Sequence, residues 1–201
     1  GLEFIGRFSP PDALSRCYTY LARQALDGNM PYEAERLLEH AQRLAVSRGW
    51  QRLQAMMLAE QVRVRLQRGN VTGAEQLQRQ LEQMAASFRM DAEHPCQRAI
   101  ALSASLSHCR LLLARGQAPQ ACILLADMVP DQENRGDRLT AARLRTLWSL
   151  ALWNSGKTAA ARTTFQPVVQ LAEQQHLKGL FLEAGDTLQP LLAGMNETSS
   201  A

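Results

Sequence analysis

With 201 residues, 46% of them hydrophobic, the chain can bury a sizeable core without disulfide staples, and no run approaches the ~18 apolar residues of a membrane span. The formal charge of +3 is carried almost wholly by arginine, Lys157 and Lys178 being the only lysines, and the arginines are dispersed among Glu and Gln without a like-charge block, which argues against a nucleic-acid-binding surface. Cys17, Cys96, Cys109 and Cys122 are widely spaced with no C-x-x-C pair, and residues 1–8 lack the basic start and apolar core of a signal peptide, so free thiols in a reducing, cytoplasmic compartment are expected.

Taken in order, the chain reads as helix after helix. Ser9-Pro10-Pro11-Asp12 is a capping stretch, and the first helix is predicted over Asp12 to Asp27 with Leu14, Tyr18, Leu21 and Ala25 on its apolar face. Pro31 suits the first turn of the second helix, whose Ala34, Leu37, Leu38, Ala41, Leu44 and Ala45 recur at helical spacing up to Gly49. Trp50 opens the third helix and Gly69 closes it. The fourth is expected from an N-cap at Thr72 to about Met90, with Ala74, Leu77, Leu81, Met84 and Phe88 in one stripe. After a polar break at residues 91–95, a fifth helix runs to Arg115 and a short sixth from Pro119 to Val129. Pro130 to Gly136 is read as one long hydrophilic loop, exposed to proteolysis. Asp137 starts a seventh helix (Leu139, Ala142, Thr146, Leu150, Trp153) that ends at Gly156. The eighth begins at Thr158, with a kink or a late start imposed by Pro167. A closing helix is expected over Leu180 to Leu192, and residues 194–201 form a polar tail.

One turn recurs. Gly28, Gly69, Gly116 and Gly156 each precede a small residue that opens the next helix: Ala34, Ala74, Ala121 and Ala161. The glycines are 41, 47 and 40 residues apart. A repeat of this length, built of helix, glycine stop and helix, predicts stacked antiparallel hairpins, because one hairpin cannot bury its apolar faces alone. The expected fold is therefore all-α: an α-solenoid winding as a right-handed superhelix, with hairpins at about 12–49, 50–90, 95–129 and 137–175 and a closing helix at 177–193.

Counting back from the turn glycines locates a candidate effector or partner groove. In the second and third hairpins positions −3, −7, −10 and −14 are apolar (Leu66, Val62, Ala59 and Ala55; Leu113, Cys109, Leu106 and Leu102), whereas −4, −8 and −11 of the four hairpins hold Tyr20, Gln24, Gln61, Arg65, Ser105, His108, Arg145 and Trp148. If equivalent positions align, Tyr20, Gln61, His108 and Trp148 form a ladder along the first-helix face, where hydrogen-bonding and aromatic groups suit a small polar ligand. The other reading is that Tyr20 and Trp148 pack against adjacent hairpins. No catalytic chemistry is legible: there is no phosphate loop after a strand, no H-E-x-x-H and no G-x-S-x-G. His94-x-Cys96 and His108-Cys109 lack a second pair at ligand spacing, so no metal site is expected, and Cys109 reads as a small core residue.

The hairpins are similar to tetratricopeptide repeats in the A-x3-large-x2-A spacing of Ala34, Leu38 and Ala41 and the G-x4-A turns Gly69–Ala74 and Gly116–Ala121. Their period exceeds the 34 residues of that family. Arg68-Gly69-Asn70-Val71-Thr72-Gly73-Ala74-Glu75-Gln76-Leu77 and the segment Gly179 to Leu192 resemble the turn and the closing segment of the sensor region in the MalT-like branch of LuxR-family ATP-dependent transcription regulators. The resemblance implies a non-catalytic domain that senses a small-molecule inducer or a regulatory protein and takes part in self-association. It also implies that ATP and DNA act only through an N-terminal and a C-terminal module outside this stretch. A free-standing protein-interaction scaffold is the alternative.

Overall fold

In a computed structural model, the described residues are 11–87, 94–175 and 188–198, and they are helical throughout, with no strand among them. The helices are α1 (Pro11–Asp27), α2 (Pro31–Ser47), α3 (Gln51–Gln67), α4 (Val71–Ala86), α5 (Pro95–Ala114), α6 (Ala118–Asn134), α7 (Arg138–Asn154), α8 (Thr158–Gln175) and α9 (Gln189–Thr198). They fall into two compact units, Gly1–Leu111 and Leu112–Ala201.

The hairpins are made by one turn used six times. The residue after each helix C-cap adopts a left-handed conformation: Asn29 (φ 56°), Gly49 (66°), Gly69 (71°), Gly116 (72°), Gly136 (76°) and Gly156 (77°). The next residue sends its N–H back to the carbonyl five positions earlier, as from Met30 to Ala25, Asn70 to Arg65 and Lys157 to Leu152, at 2.7–2.9 Å. This is the Schellman closure, which satisfies two helix-end carbonyls at once. The same residue then serves as N-cap of the following helix, so three residues reverse the chain. Five residues beyond the left-handed position sits a buried alanine after five of the six turns (Ala34, Ala74, Ala121 and Ala161 fully buried, Ala141 nearly so), and Gln54 takes that place after Gly49.

This turn corrects the sequence reading at four places. At the first hairpin the left-handed residue is Asn29 rather than Gly28, and a Cβ on Gly28 would lie 3.2 Å from the Met30 methyl group. Counted from Asn29, successive turns in the first unit are 20 residues apart, as are those at Gly116, Gly136 and Gly156 in the second. Second, Pro130 to Gly136 is not a long loop: α6 continues to Asn134 and only residues 135–137 form the turn. Val129 anchors that last stretch in the core, Asp131 pairs with Arg135 at 3.0 Å, and Pro130 is on the solvent side, where the carbonyl it leaves without an N–H partner can be hydrated. Part of the extra length between Gly69 and Gly116 lies in α5, which has 20 residues against the 17 of α3. Third, the cap of α4 is Asn70 rather than Thr72, its side chain accepting the Gly73 N–H at 2.9 Å. Fourth, α8 runs from Thr158 through the exposed Pro167 without a late start, held by the buried Phe165 and Val168 on either side. The predicted helix over Leu180 to Leu192 falls largely outside the described residues, and α9 extends into the predicted tail.

In the first unit α3 is the central element. Leu53, Met57 and Val64 face a core shared with Leu14, Tyr18, Leu38 and Ala41 of the first hairpin. Ala55, Leu58, Ala59 and Val62 face a second core with Leu77 and Leu81 of α4 and Ile100 and Ala104 of α5. Covered on two sides, α3 buries apolar side chains toward both cores and also carries the polar Glu60, Gln61, Arg63 and Arg65. In the second unit Phe165 and Val168 of α8 pack with Ala142 and Leu150 of α7 and with Leu188 and Leu191. Leu139, assigned from the sequence to the buried stripe of α7, is 41% exposed.

Candidate functional site

Two polar constellations are built into the first unit, and both rest on α3. The first is a cleft of about 450 Å3, within the range of small-ligand sites. One wall is a single face of α2, with Glu39, Gln42, Arg43, Val46 and Ser47. The other is Leu77 and Gln80 of α4, and Gln61 and Arg65 of α3 lie between them. Gln61 is only 3% exposed, yet it is polar, and its Nε2 donates to Oε1 of Gln42 at 2.7 Å. Arg65 is held loosely: Nη1 donates to the Gly73 carbonyl at 3.4 Å and Nε stands 3.9 Å from Glu35. Glu35 itself is engaged by Arg68 at 2.9 Å, and the Arg68 guanidinium lies over the Tyr32 ring at 4.7 Å. A Cβ on Gly73 would come within 2.7 Å of Arg65 Nη1 and 2.8 Å of the Asn70 carboxamide, so both side-chain ends would have to shift to admit one.

The second is a charge cluster centred on Glu60. Arg63, itself 5% exposed, approaches its carboxylate at 2.8 Å through Nη2 and donates through Nε at 2.9 Å, while Arg23 of α1 stands 3.7 Å away. Burial pushes the Glu60 carboxyl up, but the guanidinium groups of Arg63, Arg23 and Arg110 outweigh it and hold it at about 2. The three arginines belong to α1, α3 and α5, and each lies six residues before its left-handed turn residue. The sequence carried this signal. It was obscured because counting from Gly28 shifts the first helix by one position.

The same one-residue shift undoes the proposed ladder. Tyr20 shares a register with Glu60 and Ser107, whereas Gln61 and His108 share theirs with Leu21. Tyr20 is 61% exposed and accepts a hydrogen bond from Gln24 of its own helix at 2.8 Å. Of the remaining candidates, Gln61 and Arg65 together line the cleft described above. Ser105 is exposed, and His108 Nδ1 sits 3.2 Å from Glu82 of α4. In the second unit Arg145 donates to Glu133 at 2.7 Å, and Trp148 is half-buried against the core. Gln42 and Gln80 also line the cleft and were not among the candidates read from the sequence.

Among the described residues no group of His, Cys, Asp and Glu could hold a metal ion, and no helix is long and apolar enough to cross a membrane. The thiols of Cys17, Cys96, Cys109 and Cys122 are free. Burial pushes the Cys109 thiol up to about 11, in keeping with an inert core residue.

The chain matches the family described as the MalT-like TPR region over residues 1–198, and it belongs to that family. No curated protein and no solved structure matches it.

Proposed function

We propose, from membership of this family, that the chain is the non-catalytic, effector-sensing and self-association region of a bacterial MalT-like regulator of the LuxR family, acting in the cytoplasm. Its partner is a small-molecule inducer or a regulatory protein. ATP and DNA act through modules on either side of it, and the region itself uses no cofactor. The observation that carries this reading is the family match across nearly the whole chain. The first unit supplies a physical route for a signal. Its hairpins are joined by three-residue turns with little freedom, and Glu60 and Gln61 on adjacent positions of α3 tie that helix to α1 and α2. A ligand that displaces a cleft contact therefore acts on the packing of successive helices rather than on one loop.

The test is a transcription reporter driven by the regulator that contains this chain, with Arg65, His108, Arg145 and Trp148 replaced singly by Ala and melting temperatures measured alongside. Loss of response at Arg65 or His108 with the melting temperature kept supports sensing. A full response in all four variants ends it. The flanking reading frame decides against a free-standing scaffold: a Walker A motif upstream and a helix-turn-helix downstream are expected.

A further inference from the structure

We infer that Glu60 is a latch shared by α1, α3 and α5, which makes the first unit open as one block rather than hairpin by hairpin. In a stack of hairpins each repeat ordinarily rests on its neighbours alone, so a terminal repeat can fray while the others stay folded. The apolar packing of this unit would permit that. Leu14, Tyr18 and Leu38 of α1 and α2 pack on one side of α3, and Leu77, Leu81 and Ile100 of α4 and α5 pack on another. The two cores have no side chain in common.

The Glu60 cluster joins what the apolar cores leave separate. Its carboxylate accepts from Arg63 Nε of its own helix at 2.9 Å and stands 3.7 Å from Arg23 of α1. The charge of Arg110 on α5 acts on it as well, so one anion answers to three successive first helices. The three arginines reach it from the same register, six residues before each left-handed turn. Glu60 keeps only 17% of its side-chain surface and Arg63 5%, so water and salt screen the group little. Burial opposes the charge on Glu60, and the arginines of all three helices together outweigh it. Contributions to a shared network of this kind are coupled, so withdrawing α1 weakens the site for the helices that remain. The latch is measured on this chain alone and does not depend on the regulatory reading.

The test is native-state hydrogen exchange, comparing the slowest amides of α1 and α2 with those of α4. In the parent both sets should exchange through one opening, with the same dependence on added urea. Val62→Ala, which thins the core between α3, α4 and α5, should then speed both sets by the same factor, about tenfold. In Glu60→Gln the sets should part, the amides of α1 and α2 exchanging at least about tenfold faster than those of α4. Adding Val62→Ala to that variant should speed the α4 set alone. Arg23→Gln, at a side chain 28% exposed, should also part the sets, and it decides if Glu60→Gln does not fold. The inference is overturned if the parent sets already differ, or if Val62→Ala in the parent moves only α4. It is equally overturned if Glu60→Gln speeds both sets alike, or if Arg23→Gln leaves them together.

Discussion

Replacing Glu60 with Gln isolates the electrostatic core of the first unit without changing shape. The carboxyl titrates at about 2 in the folded chain against an ordinary 4.5, and at about 1.4 kcal/mol per unit that difference amounts to ~3 kcal/mol of stability at neutral pH. The figure is reasonable for a carboxylate that keeps only 17% of its side-chain surface and is engaged by Arg63 at 2.8 Å, since removing one partner of a buried pair costs about 3–5 kcal/mol. The sign follows from the direction of the shift. A folded pKa below the unfolded one means the contribution is complete above pH 4.5 and is lost as pH falls from 4.5 through 2. Urea unfolding of the parent and Glu60→Gln, followed by circular dichroism, should therefore show a gap of ~3 kcal/mol at pH 7 that narrows steadily from pH 5 to pH 2.5. The variant has no charge to titrate at this position, so a gap that stays constant over that range would refute the assignment. A gap under about 1 kcal/mol at pH 7 would place Glu60 among ordinary surface ion pairs.

Three further outcomes follow from the turns and the core. Gly69→Ala should cost about 1 kcal/mol, because nothing crowds the new Cβ and only the φ of +71° is strained, while Asn29→Gly should be neutral or slightly stabilising; both are read from urea midpoints. Phe165→Ala, fully buried in the second unit, should lose about 3–5 kcal/mol, and a loss under ~1 kcal/mol in calorimetry would contradict its place in that core. Limited proteolysis should leave residues 130–134 as protected as the Gly69 turn, since they are the last turn and a half of α6; early cleavage there would restore the loop reading.

Much of the candidate site was within reach of the sequence, and one residue of register decided how much. Gly28 looked like its counterparts at 69, 116 and 156, yet Asn29 tolerates the left-handed region well enough to take the turn. Once the count starts there, Arg23, Arg63 and Arg110 align around Glu60, and Tyr20 leaves the row it was assigned to. Pro130 misled for a related reason. Proline, aspartate, asparagine and glycine together signal a loop, but a proline on the solvent face removes a hydrogen bond that water replaces, and the helix persists where a buried Val129 holds it.

By itself the sequence determined the all-α class, the hairpin order and the family. Those follow from local rules: apolar spacing at the helical period, glycine where φ must be positive, and small alanines where two backbones meet. Only the tertiary structure decided which polar groups work together. Glu60 and Gln61 are neighbours in the chain, and nothing local distinguishes them. Packing sends one to the arginines of α1, α3 and α5 and opens the other into the cleft with Gln42. Adjacent residues on a helix point about 100° apart, and what each meets is set by helices brought alongside from 19 to 50 positions away in sequence, with turns of three residues fixing the register of α1, α2 and α3.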